Sequence, residues 1–294
     1  MSKTRPAPDR AGPSRPVTGS PARRRRRGLT LLVVVGLVAA GGYFGGRFLL
    51  DSVVNPQCTI SAGGMTETFD PEQTGNAALI AALSLKRDLP PRAATIALTT
   101  AIQESKIRNL RYGDRDSLGL FQQRPSQGWG TEEEILDPVY STNTFFDALV
   151  KYKGYENTDI TTIAQKVQKS GFPEAYRDHE GEGRVLASTL TGHSPAGLTC
   201  RLDAPTASVA PADVAADLER QMGITDTSVG DGVLTVTAAD ATSAWAVAHW
   251  AVARAEQYGA TTVTVGDRTW DRADRDATWS DGANDGTTVT IALA

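Results

Sequence analysis

The sequence is poor in the residues on which metal and thiol chemistry rest: 294 residues include only two cysteines, three histidines and three methionines. His179, His193 and His249, with two cysteines 142 positions apart at Cys58 and Cys200, give no zinc-ligand spacing. The acidic run Asp267, Asp271, Asp274, Asp276 and Asp281 lacks the alternating oxygen ligands, glycine and terminal glutamate of a calcium loop, and reads as a solvated loop. No glycine-rich phosphate loop and no Ser/His/Asp arrangement stands out. The expectation is a protein that uses neither metal nor cofactor.

What is present is unevenly distributed. At 40% hydrophobic and 22% charged the composition is ordinary for a globular chain of one large or two average domains. The net charge of −4 conceals a basic arm, because residues 1–27 hold nine Lys/Arg against one acidic residue. This arm, rich in Pro, Arg, Ser and Gly, reads as a disordered cytoplasmic tail. Arg23 to Arg27 lie directly before residues 28–50, an apolar stretch interrupted only by Arg47. At about 1.5 Å per residue it can span a bilayer core of about 30 Å. Positive charge before a first hydrophobic segment holds that side in the cytoplasm. The expectation is a single-pass protein of the cell membrane with its body extracellular; a cleaved signal peptide is the alternative, with Ala39-Ala40-Gly41-Gly42 as a small-residue cleavage site. The arginines have no aromatic or motif context for nucleic acid, and none is expected as a partner.

Both cysteines lie beyond the apolar stretch. In an oxidising compartment the economical reading is one Cys58–Cys200 disulfide; two free buried thiols are the alternative. Between them the pattern is helical. Asn76 can cap a helix towards Lys86, and Pro90-Pro91 can open one carrying Ala94, Ala97, Leu98, Ala101 and Ile102. Asp137-Pro138 reads as an N-cap followed by Pro at N1, with Val139, Phe146, Leu149 and Val150 as its stripe. Residues 159–170 give another helix stopped by Gly171, and Pro173 can open a last one, weakened by Gly181 and Gly183. A polar, glycine-rich interruption runs from about Arg111 to Gly130. After Cys200, residues 204–211 read as a linker. Val233 to Thr237 reads as a strand, Thr242 to Tyr258 as a helix stopped by Gly259, and Thr261 to Val265 and Thr287 to Leu293 as strands. Trp245 lies on a core stripe with Ala248 and Val252, whereas Trp270 and Trp279 read as an exposed pair suited to stacking on sugar.

Glu104 continues the small apolar line Ala94, Ala97, Ala101 at the end of its helix. Burial and the negative end of the helix dipole both favour a protonated carboxyl there. A neutral acid near a leaving oxygen is what glycosidic cleavage requires. Asp114 and Asp116 in the following loop are the candidates for a second carboxylate, as water activator or nucleophile, with solvation as their alternative.

Ala101-Ile102-Gln103-Glu104-Ser105 followed by Ser117-Leu118-Gly119-Leu120-Phe121-Gln122 resembles the Glu-Ser and Gly-Leu-x-Gln motifs of soluble lytic transglycosylases and related goose-type lysozymes. Asp137-Pro138 and Asn143 resemble the element packed behind their cleft, so the likeness covers about Asn76 to Gly192. It implies that Glu104 is the catalytic acid/base and that Ser105, Gly119, Leu120, Gln122 and Gln123 line or support the sugar site. The family's Ala-Tyr-Asn-Ala-Gly motif is replaced by Ala164-Gln165-Lys166-Val167-Gln168-Lys169-Ser170 and Phe172-Pro173-Glu174-Ala175-Tyr176; with Gln122 to Gly130, this looks like an actinobacterial, membrane-anchored branch. Gln168 or Tyr176 takes the place of the family's tyrosine, with core packing as the alternative for either.

The resulting expectation is an α+β protein with an N-terminal transmembrane helix, an all-α lysozyme-like catalytic domain and a small C-terminal α+β domain. The boundaries are 1–27 for the tail, 28–50 for the anchor, 51–203 for the lysozyme-like domain, 204–211 for the linker and 212–294 for the accessory domain. The implied activity is cleavage of the MurNAc-GlcNAc β-1,4 bond of peptidoglycan glycan strands, by lytic transglycosylation or hydrolysis. The competing reading is a non-catalytic wall-binding or envelope-scaffold protein. Under either, the accessory domain can contact an envelope protein partner.

Overall fold

The computed structural model describes residues 55–168, 173–282 and 285–294. The chain enters as a hairpin of β1 (Gln57–Ala62) and β2 (Met65–Phe69). Gly63 and Gly64 form its two-residue turn, both with positive φ, as a hairpin matched to strand twist demands. Then come α1 (Pro71–Lys86), α2 (Pro91–Ser105), a long loop, short α3 (Glu132–Leu136), α4 (Pro138–Leu149), α5 (Ile160–Gln168), a 3-10 turn at Pro173–His179, and α6 (Glu180–Leu190). Strand β3 (Leu198–Arg201) returns to lie antiparallel against β1, giving the order β2-β1-β3.

This three-stranded sheet corrects the expectation of an all-α catalytic domain. Cys58 and Ile60 alternate inward on β1, a strand signal, but β3 is four residues long and meets β1 only through pairing across the whole helical block. Cys58 stands directly opposite Cys200 in that register, and the two form the expected disulfide. Both are buried. The expected transmembrane segment 28–50 lies outside the described residues; among those described, no helix is long and apolar enough to cross a membrane.

Helix α1 starts six residues earlier than the sequence pattern predicts, capped at Asp70 in place of Asn76. Asp70 accepts from the Gln73 amide while the Gln73 side chain accepts from the Asp70 amide, and this capping box with Pro71 at N1 sets the start. Asn76 is free of capping duty. From Ala77 to Ser84 every residue of α1 is buried, the mark of a helix enclosed on all sides. Helices α2 and α4 pack on it from the helical block, and two helices of the C-terminal part, α7 (Pro211–Met222) and α8 (Ala241–Ala253), pack on it from another side. At its end Lys86 donates to the carbonyls of Glu219 and Arg220, the exposed C-terminal carbonyls of α7.

The C-terminal part adds β4 (Thr227–Val229), β5 (Val233–Thr237), α9 (Ala255–Tyr258), β6 (Ala260–Val265), β7 (Arg268–Asp271), β8 (Trp279–Asp281) and β9 (Thr288–Leu293). The strands form one antiparallel sheet in the order β4-β5-β9-β6-β7-β8. The expected helix to Tyr258 is divided at Arg254, whose guanidinium donates to Tyr258, Gln257 and the Gly75 carbonyl of α1. The two tryptophans expected to be exposed face inward. Trp270 is fully buried on β7 and donates to the Cys200 carbonyl; Trp279 donates to the Leu198 carbonyl and meets Trp245 edge to face at 5.1 Å. The indole N–H groups thus join the large sheet to β3, and the buried side chains form one continuous core from Cys58 to Leu293.

Closing a loop of 142 residues, the disulfide removes much of the freedom of the unfolded chain. Cys58→Ala/Cys200→Ala is expected to lose on the order of 4 kcal/mol of unfolding free energy in urea denaturation. Unreduced, unfolded wild-type protein should titrate no thiol. Two titratable thiols, or an unchanged urea midpoint in the double variant, would overturn this.

Candidate active site

Helix α2 delivers Glu104 because its small side chains let it sink into the core. Ala94, Ala97 and Ala101 are wholly buried, and Gly183 of α6 lies so close that a Cβ there would collide with Thr99 Oγ1 and come within 3.0 Å of the Thr99 amide nitrogen. Gly183, which weakens helix propensity, is therefore a packing requirement: it allows α6 to press against α2. Glu104 occupies the last turn of α2, half-buried.

The chain leaves α2 through two successive left-handed residues, Lys106 (φ 54°) and Ile107 (φ 58°). That conformation is uncommon for any residue with a Cβ and rarer for a β-branched one. Helix α1 holds it: Gln73 Nε2 donates to the Lys106 carbonyl and Asn76 Nδ2 to the Ile107 carbonyl, each at 2.9 Å. Ile107 is fully buried, and Arg108 pairs with Asp70 and Glu72 at the start of α1. Strained backbone next to a half-buried acid is a common mark of a working site.

The Gly-Leu-Phe-Gln segment forms a shelf under this turn. Ser105 Oγ donates within a bifurcated arrangement to the Leu120 carbonyl at 2.7 Å and the Ala101 carbonyl at 3.1 Å. Leu118 and Gln123 exchange both backbone hydrogen bonds. Gly119 adopts φ 76°, where a Cβ would stand 2.8 Å from the Ile135 carbonyl. Ser105, Leu120 and Gln123 are buried, and Gln123 Nε2 donates to the Ser141 carbonyl; they shape the shelf from behind. Phe121 stacks on Phe145 of α4 at 4.6 Å. Gln122 is half-buried and folds back, its amide donating to the Gly119 carbonyl at 3.3 Å.

Two residues from outside the shelf converge on the carboxyl. Tyr176 Oη, fully buried, donates to Glu104 Oε1 at 2.5 Å. Gln168, the last residue of α5, hydrogen-bonds the Glu104 carboxylate and donates through Nε2 to the Phe121 carbonyl at 2.5 Å. Both positions named for the family's tyrosine thus lie against Glu104. Burial raises the Glu104 pKa above the usual carboxylate value, outweighing the opposing hydrogen bonds from Tyr176 and Gln168.

The loop carboxylates are differently placed. Asp114 is exposed and faces only Arg115 at 3.9 Å. Asp116 accepts from the Ser126 amide at 2.9 Å and from Arg124 Nε at 2.6 Å; Ser126 first and then Arg124 hold its pKa far below the usual range. It staples the loop as a fixed anion. Among the described residues no three His, Cys, Asp or Glu side chains converge on a point that could hold a metal ion.

Beside Gln168 a groove of about 670 Å³ opens between α4, α5 and the segment before α3. Tyr140, Thr144, Asp147 and Lys151 line it at helical spacing, opposite Trp129 and Lys166. The sequence carries this signal, a polar and aromatic stripe along α4, but a solvated helix face has the same spacing. No family model matches the chain, and no curated protein matches its sequence.

The raised pKa of Glu104 fixes a sign. Between a carboxyl's ordinary pKa, near 4.5 here, and the raised value, the folded state binds more protons than the unfolded, so this group costs stability as pH rises through that interval. Glu104→Gln is therefore expected to be more stable than wild type in urea at pH 7, the difference shrinking towards pH 4. A variant less stable at pH 7 would contradict a desolvated acid.

Proposed function

We propose that this protein cleaves the β-1,4 bond between MurNAc and GlcNAc in peptidoglycan, with Glu104 as general acid and then general base. The observation that carries the reading is a single half-buried carboxyl at a helix end, with its pKa raised by burial and its orientation set by Tyr176 and Gln168. With burial favouring its neutral form, Glu104 gives its proton to the glycosidic oxygen as the bond breaks. The carboxylate that results regains stabilisation from the Tyr176 hydroxyl and the Gln168 amide, hydrogen bonds that favour its charged form.

The arrangement favours the lytic transglycosylase branch over hydrolysis. Asp116 is committed to Arg124 and Ser126, and Asp114 faces solvent, so neither is arranged as the second carboxylate of a two-acid hydrolase. With one acid, the base step draws the proton from the 6-hydroxyl of the muramyl residue as that oxygen closes on the anomeric carbon, leaving a 1,6-anhydro sugar. The disulfide supports an exported, wall-facing location.

The test is incubation of the full chain with purified sacculi from pH 4 to 8. Expected is release of 1,6-anhydro-muropeptides, reduced at least 100-fold in Glu104→Gln and about tenfold in Tyr176→Phe, with the latter's pH optimum moved upward because the carboxylate loses a stabilising donor. No soluble product across that range would leave a non-catalytic wall-binding protein. Products with hydrated reducing ends would assign hydrolysis.

A further inference from the structure

The groove beside Gln168 has a charge that the cleavage reaction itself does not use. Lys151 and Lys166 both line it, both are exposed, and neither lies within ion-pair distance of a carboxylate among the described residues. Its one acidic residue, Asp147, is engaged with Arg87 at 2.6 Å. The wall is therefore net positive, opposite in sign to the chain's overall charge of −4. Trp129, Tyr140 and Tyr152 are half-buried and add aromatic surface. Tyr152 Oη donates to the Lys166 carbonyl, fixing the ring beside the second cation.

We infer that this groove binds the peptide-bearing part of the glycan, with Lys151 and Lys166 pairing with stem-peptide carboxylates while aromatic faces take the sugar rings. The inference rests on the peptidoglycan reading and names what the substrate must carry beyond its sugars. A neutral saccharide offers stacking surface and uncharged hydroxyl and amide groups; a carboxylate adds stronger, charge-assisted hydrogen bonds to the ammonium groups. Gln168 joins the two regions, since it lines the groove and hydrogen-bonds Glu104. Occupancy of the groove thereby places the bond to be cut near the acid, so the lysines act as specificity residues rather than catalytic ones.

The test uses the full chain carrying Glu104→Gln, with and without Lys151→Gln/Lys166→Gln, and calorimetric binding of a purified disaccharide-tetrapeptide and of neutral chitotetraose. Replacing exposed lysines leaves the core intact, which thermal unfolding checks directly. The lysine changes are expected to weaken the disaccharide-tetrapeptide at least tenfold and chitotetraose less than twofold, with the difference shrinking as salt rises. Equal weakening of both ligands, or of neither, overturns the inference. Lysine-dependent binding in a protein whose wild type leaves sacculi intact would sink the enzymatic reading alone; lysine-independent binding in an active wild type would sink this inference alone.

Discussion

Helix α2 is buried without a break from Ala93 to Ile102, yet carries an acid in its last turn, and the rest of the molecule is arranged around that constraint. A carboxyl carried into a poorly solvated place either loses its charge or finds donors. Glu104 does both in part: burial favours the neutral form, while Tyr176 and Gln168 wait for the charged one. The close approach of α6 at Gly183, the small line of alanines and the paired amides of Gln73 and Asn76 all keep the end of α2 from withdrawing towards water.

Much of this was legible in the residues. Asp137-Pro138 opens α4, Pro91 opens α2, and Val233–Thr237 is a strand, because local caps and period-two alternation decide such elements. The cysteine pairing was also readable, from compartment logic and number. What could not be read depended on partners distant in sequence. Strand β3 is four residues with no pattern of its own until it meets β1, and the small sheet follows from that pairing. Trp270 sits in a stretch rich in Asp and Arg that reads as loop, but its burial is decided by Cys200, 70 residues away.

The site shows the same division. Glu104 and its motif neighbours are contiguous in sequence, whereas the proximity of Gln168 and Tyr176 to it is a tertiary fact. Ser105, Leu120 and Gln123, conspicuous as motif residues, turn their polar atoms into the scaffold. A motif records what a segment must be without recording which of its atoms faces outward.

Because α1 is covered by the helical block on one side and by α7 and α8 on another, neither part has a finished surface without its neighbour. Cutting the chain after Cys200 would expose a face built of alanine, leucine and isoleucine, and would strip Trp270 and Trp279 from the carbonyls of β3. The molecule should then melt in one cooperative step, with damage in the large sheet felt at the end of α2. Shuffling the last ninety or so residues onto another catalytic block would require redesigning that shared helix, so the two parts are free to change in sequence only together.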